Sequence, residues 1–286
     1  MKLIFFVFII LLIQPLAAQT NIKKITYPQP ESHEDPRNQY FLGLLNLALS
    51  KGSDKSTFRL QAGQSNMQQG RAIYEVVQNR GIDVIWTVTS IEREKQLYAI
   101  RVPLMKGLLG YRVFIMRQED RHLLDKVSTL SELTKYTVGQ GHDWPDTGIL
   151  KANKFNVVTS STYQGLFTML EQRRFQLFPR GLSEAWQELD SLKLGDSNLM
   201  VEENLMLYYP SPIYFFVNKD NKQLANKIEQ GLKLAIADGS FEEYFLTFLR
   251  QQNIVEQANF KHRTVIQLDN PLLPENTPLE QKGLWY

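Results

Sequence analysis

The chain has 286 residues, 43% of them hydrophobic and 22% charged, with 32 Lys and Arg against 30 Asp and Glu. That is the make-up of a globular protein long enough for two lobes, and a net charge of +2 offers no basic field for nucleic acid. Cysteine is absent, which excludes a disulfide framework, a lipid-modified cysteine and thiolate metal ligands.

Residues 1–18 have the layout of a secretory signal peptide: Lys2, an apolar run from Leu3 to Ile13, and small residues ending at Ala18. The run is too short to span a bilayer. Cleavage is expected after Ala18, leaving Gln19 as the mature N-terminus of a protein free in the periplasm.

Along the mature chain, Ile22 to Tyr27 reads as a strand stopped by Pro28 and Pro30, and Glu31 to Arg37 as a polar turn. Tyr40, Phe41, Leu44, Leu45, Leu47, Ala48 and Leu49 recur at helical spacing until Gly52. A strand at Phe58 to Ala62, a helix through Ala72, Ile73, Val76 and Val77, and a buried strand at Ile82 to Thr89 complete a strand–helix alternation. Such alternation predicts an α/β unit on a parallel sheet, with ligands gathering at the carboxyl ends of the strands. Tyr27, Thr87 and Thr89 lie at such ends, and Arg93 follows in the charged turn 91–95.

After Met116 the same grammar repeats. Leu130–Lys135, Asp146–Asn153, Tyr163–Phe175 and Leu182–Leu189 read as helices, interleaved with short strands at Tyr136–Gly139, Val157–Val158 and Phe175–Phe178. Leu205 to Val217 then gives two apolar strands split by Pro210 and Pro212, and two helices flank Asp238-Gly239. The division expected is a first lobe over 19–118, a second over 119–207, a return to the first over 208–260, and a tail over 261–286 packed on the body. Crossings near 117–119 and 208–213 would form a hinge.

The remaining candidate site residues lie in these elements and in the loops between them. Trp144, Trp86 and Tyr163 could form an aromatic wall, or serve burial. His142 has no identifiable partner, and the four histidines lack metal-ligand spacing. Asp143 and Asp146 do not make a calcium loop and suit the start of a helix behind Pro145. No metal or cofactor is expected.

Three stretches together resemble the family 3 bacterial extracellular solute-binding proteins, the periplasmic amino-acid-binding group. They are TSIER at 89–93 running on to Pro103, YYPSPIYFFVNKDN at 208–221, and LANKIEQGLKLAIADGSFEEYF at 224–245. The similarity spans about Ile22 to Phe260. GHDWPD at 141–146 and FPRG at 178–181 mark a divergent branch.

The resemblance implies a two-lobed periplasmic-binding-protein fold of type II, closing over a small solute for an ABC importer, with the protein a monomer. It implies that Arg93 grips a ligand carboxylate in bidentate fashion, with hydroxyls from Thr87 or Thr89 and backbone N–H groups from the loop at Gly139, Gly141 and His142. The aspartate that the family uses for the ligand ammonium is replaced here by Arg180. Either Asp143 or Glu184 supplies the acid, or the ligand is not an α-amino acid. Arg93 and Arg180 on opposing lobes would favour a dianionic or amine-free carboxylate; the other reading of Arg180 is a surface or interlobe salt bridge with Glu184. A dehydratase-like enzyme using His142, Asp143 or Glu184, and a sensor partner docking on a membrane receptor, are the alternatives.

Overall fold

The computed structural model describes residues 23–29, 38–51, 58–191 and 198–286. The expected signal segment, the turn at 31–37 and Gly52 lie outside them.

The first layer opens with β1 (Lys23–Gln29), α1 (Asn38–Ser50), β2 (Phe58–Asn66), α2 (Gln69–Val77) and β3 (Val84–Val88). The apolar stripe of α1 is buried at Tyr40, Phe41, Leu44, Leu45, Ala48 and Leu49, as its 3.6-residue spacing requires. β1 and β2 pair in parallel from Lys23 opposite Phe58. β1 reaches β3 through Asp83, whose N–H donates to Thr26 O at 2.8 Å and whose Oδ2 accepts from Thr26 N at 2.7 Å.

The stretch 91–95, read from sequence as a turn, is a short helix, α3 (Ile91–Gln96). Ser90 caps it, its hydroxyl accepting from Arg93 N at 3.2 Å, and residues on one face of even a single turn can then be buried. β4 (Tyr98–Ile100) follows, and then β5 (Tyr111–Arg117).

β5 corrects the expected course of the chain. Sequence placed Gly110 to Met116 in the first lobe, with a crossing near 117–119. β5 instead pairs antiparallel with strands of the second layer, so the chain crosses earlier, through 101–110. An apolar run buried on both faces carries no mark of which sheet it joins, because both environments select the same residues.

The second layer continues with α4 (Leu130–Leu133), β6 (Thr137–Gly141), α5 (Pro145–Ala152), β7 (Asn156–Ser160), α6 (Tyr163–Glu171), β8 (Phe178–Gly181), α7 (Ala185–Ser191), β9 (Leu199–Val201) and β10 (Leu205–Tyr208). β6 and β7 run parallel, and Gly139 N donates to Leu177 O at 2.9 Å to join them to the segment leading into β8. The strand expected at 175–178 is thus displaced to 178–181. Pro179 interrupts nothing there, since it faces Phe114 of β5 and its own carbonyl accepts from Gln140 Nε2 at 3.2 Å.

The chain returns through Tyr209–Pro212 into β11 (Ile213–Val217), buried along its whole length. β11 lies between β3 and β4 and is antiparallel to both, so the first layer holds an antiparallel three-stranded sheet beside the parallel pair β1–β2, not one parallel sheet. The helices α8 (Lys222–Ala237), α9 (Ser240–Gln251) and α10 (Ile254–Ala258) cover this side. Gly231 is required where α8 crosses α1: a Cβ there would stand 1.9 Å from Ala48 O. The tail, read as irregular, begins with β12 (Thr264–Gln267), which pairs in parallel with β10. It ends with the Trp285 ring against Gly107.

Candidate functional site

A cleft of about 130 Å³ lies between the two layers. The first-lobe wall is mostly apolar: Phe41 from α1, Met67 and Ala72 beside α2, and Ile85, Trp86, Thr87 and Val88 from the end of β3. Trp86 stacks on Phe41, ring centroids 5.7 Å apart, and Tyr27 backs it at 6.0 Å. The second-lobe wall is charged, presenting Arg112, Asp146, Arg180 and Glu184 with Trp144 beside them.

The second wall is organised by strand register and helix spacing. Arg112 of β5 stands opposite Gly181 of β8, and Val113 stands opposite Arg180; the two guanidinium groups meet at Glu184 Oε2, which lies 3.5 Å from Arg112 Nη1 and 3.1 Å from Arg180 Nη2. Glu184 and Glu188 are one helical turn apart, so both reach Arg180. Arg180 binds Glu188 in a fork, Nε to Oε2 at 2.7 Å and Nη2 to Oε1 at 2.5 Å, and Nη2 lies 3.1 Å from Glu184 Oε2. Its guanidinium lies over the rings of Trp144 at 4.8 Å and Phe178 at 5.0 Å. Glu184 Oε2 also accepts from Gly181 N at 2.9 Å.

Arg112 is held by Tyr209 and Asp146. Its Nε donates to the Tyr209 hydroxyl at 3.0 Å, Nη2 lies 2.7 Å from Asp146 Oδ1, and Nη1 lies 3.5 Å from Glu184. The Tyr209 hydroxyl donates in turn to Asp146 Oδ1. Burial alone would lower the Arg112 pKa; Asp146, Tyr209 and Glu184 outweigh it and hold the group above its ordinary value. Burial, opposed by Arg112 and reinforced by Asp146, pushes the Tyr209 phenol well up, so it remains a donor. The second wall is therefore a preassembled network of fixed dipoles and charges.

Arg93 is buried but does not line this cleft. Nη1 donates to the Thr87 hydroxyl and to Val88 O at 2.9 Å; Nη2 donates to Gln69 Oε1 and to Asp143 O at 3.0 Å. Burial lowers its pKa to about 10, with Asp143 and Asp146 opposing the shift. Asp143 comes from the second lobe, so Arg93 ties the lobes together. The Asp143 carboxylate accepts from Gly70 N at 2.6 Å, in the first turn of α2, and Gln68 Nε2 donates to Ser161 O. These bonds form one closed rim of the cleft.

Of the residues singled out from sequence, Trp86, Thr87, Trp144, Asp146, Arg180 and Glu184 line the cleft. Arg93 and His142 line a shallower groove on the outer side of Trp144, where His142 is largely exposed. Thr89 is turned away, its hydroxyl donating to Glu94 Oε1 at 2.7 Å. Tyr163 is buried edge-on against Phe167, and Tyr27 supports Trp86. Gly141 lies under the Trp144 ring, with 2.5 Å between that ring and an added Cβ. The loop's N–H groups are spent internally, His142 N on Ser160 O and Trp144 N on Gly141 O, which removes the expected backbone anion site. The arginine pair expected across the cleft, Arg93 with Arg180, is replaced by Arg112 with Arg180, both from second-lobe strands.

Sequence reading missed Arg112, Tyr209 and Glu188, and took Asp146 for a helix cap. The signal available was an arginine inside the apolar run YRVFIM and acids four residues apart after FPRG.

No family model and no curated protein matches the chain. Solved structures do. An ancestral arginine-binding protein bound to arginine is 15% identical, with TM-score 0.58 over 79% of this chain and 97% of that one. An ancestral amino-acid-binding protein, described as a precursor of cyclohexadienyl dehydratase, is 14% identical, with TM-score 0.56 over 79% and 95%. A histidine kinase sensor domain with similarity to periplasmic binding proteins is 12% identical, with TM-score 0.54 over 79% and 96%. The chain has the two-lobed α/β fold of the periplasmic binding proteins.

Proposed function

We propose that this protein is a solute-binding protein that captures a small, carboxylate-bearing, amino-acid-like molecule between its lobes. The observation that carries the reading is the cleft itself, apolar on one wall and charged on the other, with Arg93 and Asp143 joining the lobes at its rim. The ligand carboxylate binds at Arg112, whose buried Nη2 faces Asp146 without hydrogen-bond alignment. Asp146 and Glu184 take the ammonium, supplying the acid that the sequence lacks at position 180. Trp86 and Trp144 cover the apolar part. The amino-acid-binding neighbours support the reading, as does a leader that would deliver the protein to the periplasm for an ABC importer.

Two charge-assisted hydrogen-bonded pairs and one buried aromatic contact give about 5–9 kcal/mol, enough for affinity near micromolar. A thermal-shift screen over the twenty amino acids and a set of amine-free carboxylates tests this. Binding at 100 times the dissociation constant adds about 2.7 kcal/mol of stability and raises the midpoint. No shift with any compound at millimolar concentration overturns it. A dehydratase-like activity has less support, because His142 and Asp143 lie outside the cleft lining and only Glu184 of the three candidate groups is within it. A sensor role would use the same cleft and differ in the membrane partner recovered with the protein.

A further inference from the structure

We propose that the C-terminal segment 269–286 is a strap across the hinge, biasing the lobes toward the closed form through bonds that the chain makes to itself. The main chain joins the lobes twice, through 101–110 and through Tyr209–Pro212. Tyr209 N donates to Gly110 O at 3.1 Å, which keeps the two crossings side by side. The tail makes a third connection. It leaves the second lobe as β12 alongside β10, with Leu268 N donating to Tyr208 O at 2.8 Å. Asn270 Nδ2 then donates to Pro210 O at 2.7 Å, so the tail follows the second crossing toward the first lobe.

Both ends of the strap are fastened. On the second lobe, Asn153 at the end of α5 donates to Asp269 O at 2.7 Å and accepts from Asp269 N at 3.1 Å. On the first-lobe side, Tyr286 N donates to Lys106 O at 2.9 Å, and the Tyr286 ring lies 5.5 Å from that of Phe245 on α9.

Leu272 stands between the lobes. Its carbonyl accepts from Ile91 N at 2.9 Å, in the first turn of α3, and its side chain lies over Gly148 of α5, 2.8 Å from where a Cβ would be. The helix α3 carries Arg93 and α5 follows Asp143, the pair at the cleft rim. Opening the cleft at this rim therefore breaks the Leu272 contacts together with the Arg93–Asp143 bond. The eighteen residues from Asp269 to Tyr286 can extend to about 60 Å, so the strap sets an energetic bias, not a fixed stop.

The test needs no solute. With no native cysteine, Lys95→Cys and Lys151→Cys place spin labels on exposed positions of α3 and α5, and electron–electron resonance reads the distance between the lobes. Ile91→Pro removes only the N–H that Leu272 accepts, at a first helical position where proline fits. Leu272→Ala removes the side chain over Gly148. Each substitution is expected to raise the long-distance population about tenfold, the effect of losing one hydrogen bond or part of a packed leucine. Ending the chain at Asp269 is expected to raise it further. Distance distributions identical to the parent's in both point variants overturn the proposal. That failure would leave the solute-binding reading intact, and an empty ligand screen would leave the strap intact.

Discussion

The two walls of the cleft are built on different principles. The first-lobe wall is shape: Trp86, Phe41 and Tyr27 pack ring on ring, and its one buried arginine is turned to the rim. The second-lobe wall is charge: two arginines and three carboxylates from β5, α5, β8, α7 and the turn before α7 hold one another in place. Rings fixed by packing tolerate small changes, because dispersion is spread over many contacts. A buried charge network does not, because removing one member strands its partner in a medium that cannot solvate it. The second wall should therefore be the fragile one, for stability as well as for binding.

The largest expected effect is at Glu188, which is fully buried and holds Arg180 in a fork. Glu188→Ala leaves a buried guanidinium with Glu184 as its remaining carboxylate and should cost about 3–5 kcal/mol. Urea denaturation with an unchanged slope and a much lower midpoint would show it; a loss below about 1 kcal/mol would mean that Arg180 does not depend on the fork.

Tyr209→Phe removes the hydroxyl that joins Arg112 to Asp146 without changing the shape of the ring. The expected loss is about 1–3 kcal/mol, from a buried donor and acceptor left unmatched. Solute affinity should fall as well, since Arg112 and Asp146 are no longer held in register. Calorimetry with a ligand found in the screen separates the two effects.

On the first wall, Thr87→Val is nearly isosteric and deletes one of four acceptors around Arg93. About 1 kcal/mol is expected, measured by the same denaturation. A cost equal to that of Glu188→Ala would erase the contrast between the walls.

The smallest effect concerns the buried carboxyl of Glu202 between β9 and β10, which accepts from Asn204 N at 2.7 Å and Leu205 N at 2.8 Å, with Arg263 at 3.7 Å. Burial raises its pKa above the ordinary value of 4.5 despite those partners. A carboxyl raised on folding binds more protons in the native state, so its contribution is fully present below the unfolded pKa and is lost as pH rises through the folded one. Glu202→Gln should therefore flatten the fall in stability from about pH 4.5 upward, seen as a weaker pH dependence of the melting midpoint. An unchanged dependence would place the titration elsewhere.

Much of the architecture could be read from the residues because it rests on local periodicity. The stripe Tyr40, Phe41, Leu44, Leu45 marks α1, the β-branched run at 82–89 marks β3, and the alternation of strand and helix names the fold class. Arg93 is where such reading stops. Its surroundings in sequence, TSIER, are compatible with an anchor for a ligand and with a clasp between lobes. The choice depends on Gln69 and Asp143, residues 24 and 50 positions away. Arg112 was hidden in the opposite way, inside a run so apolar that only the pairing of β5 with β8 shows why a charge belongs there.

The sequence by itself determined the main helices and strands, and that the chain alternates them twice, because those choices depend on side-chain patterns a few residues long. Tertiary structure alone decided which sheet receives β5, which arginines face the cleft, and that the tail reaches from one lobe to the other. Those choices depend on contacts between residues far apart in the chain, and an arginine has the same fork of donors whether it meets a ligand, a glutamate or a carbonyl of the opposite lobe.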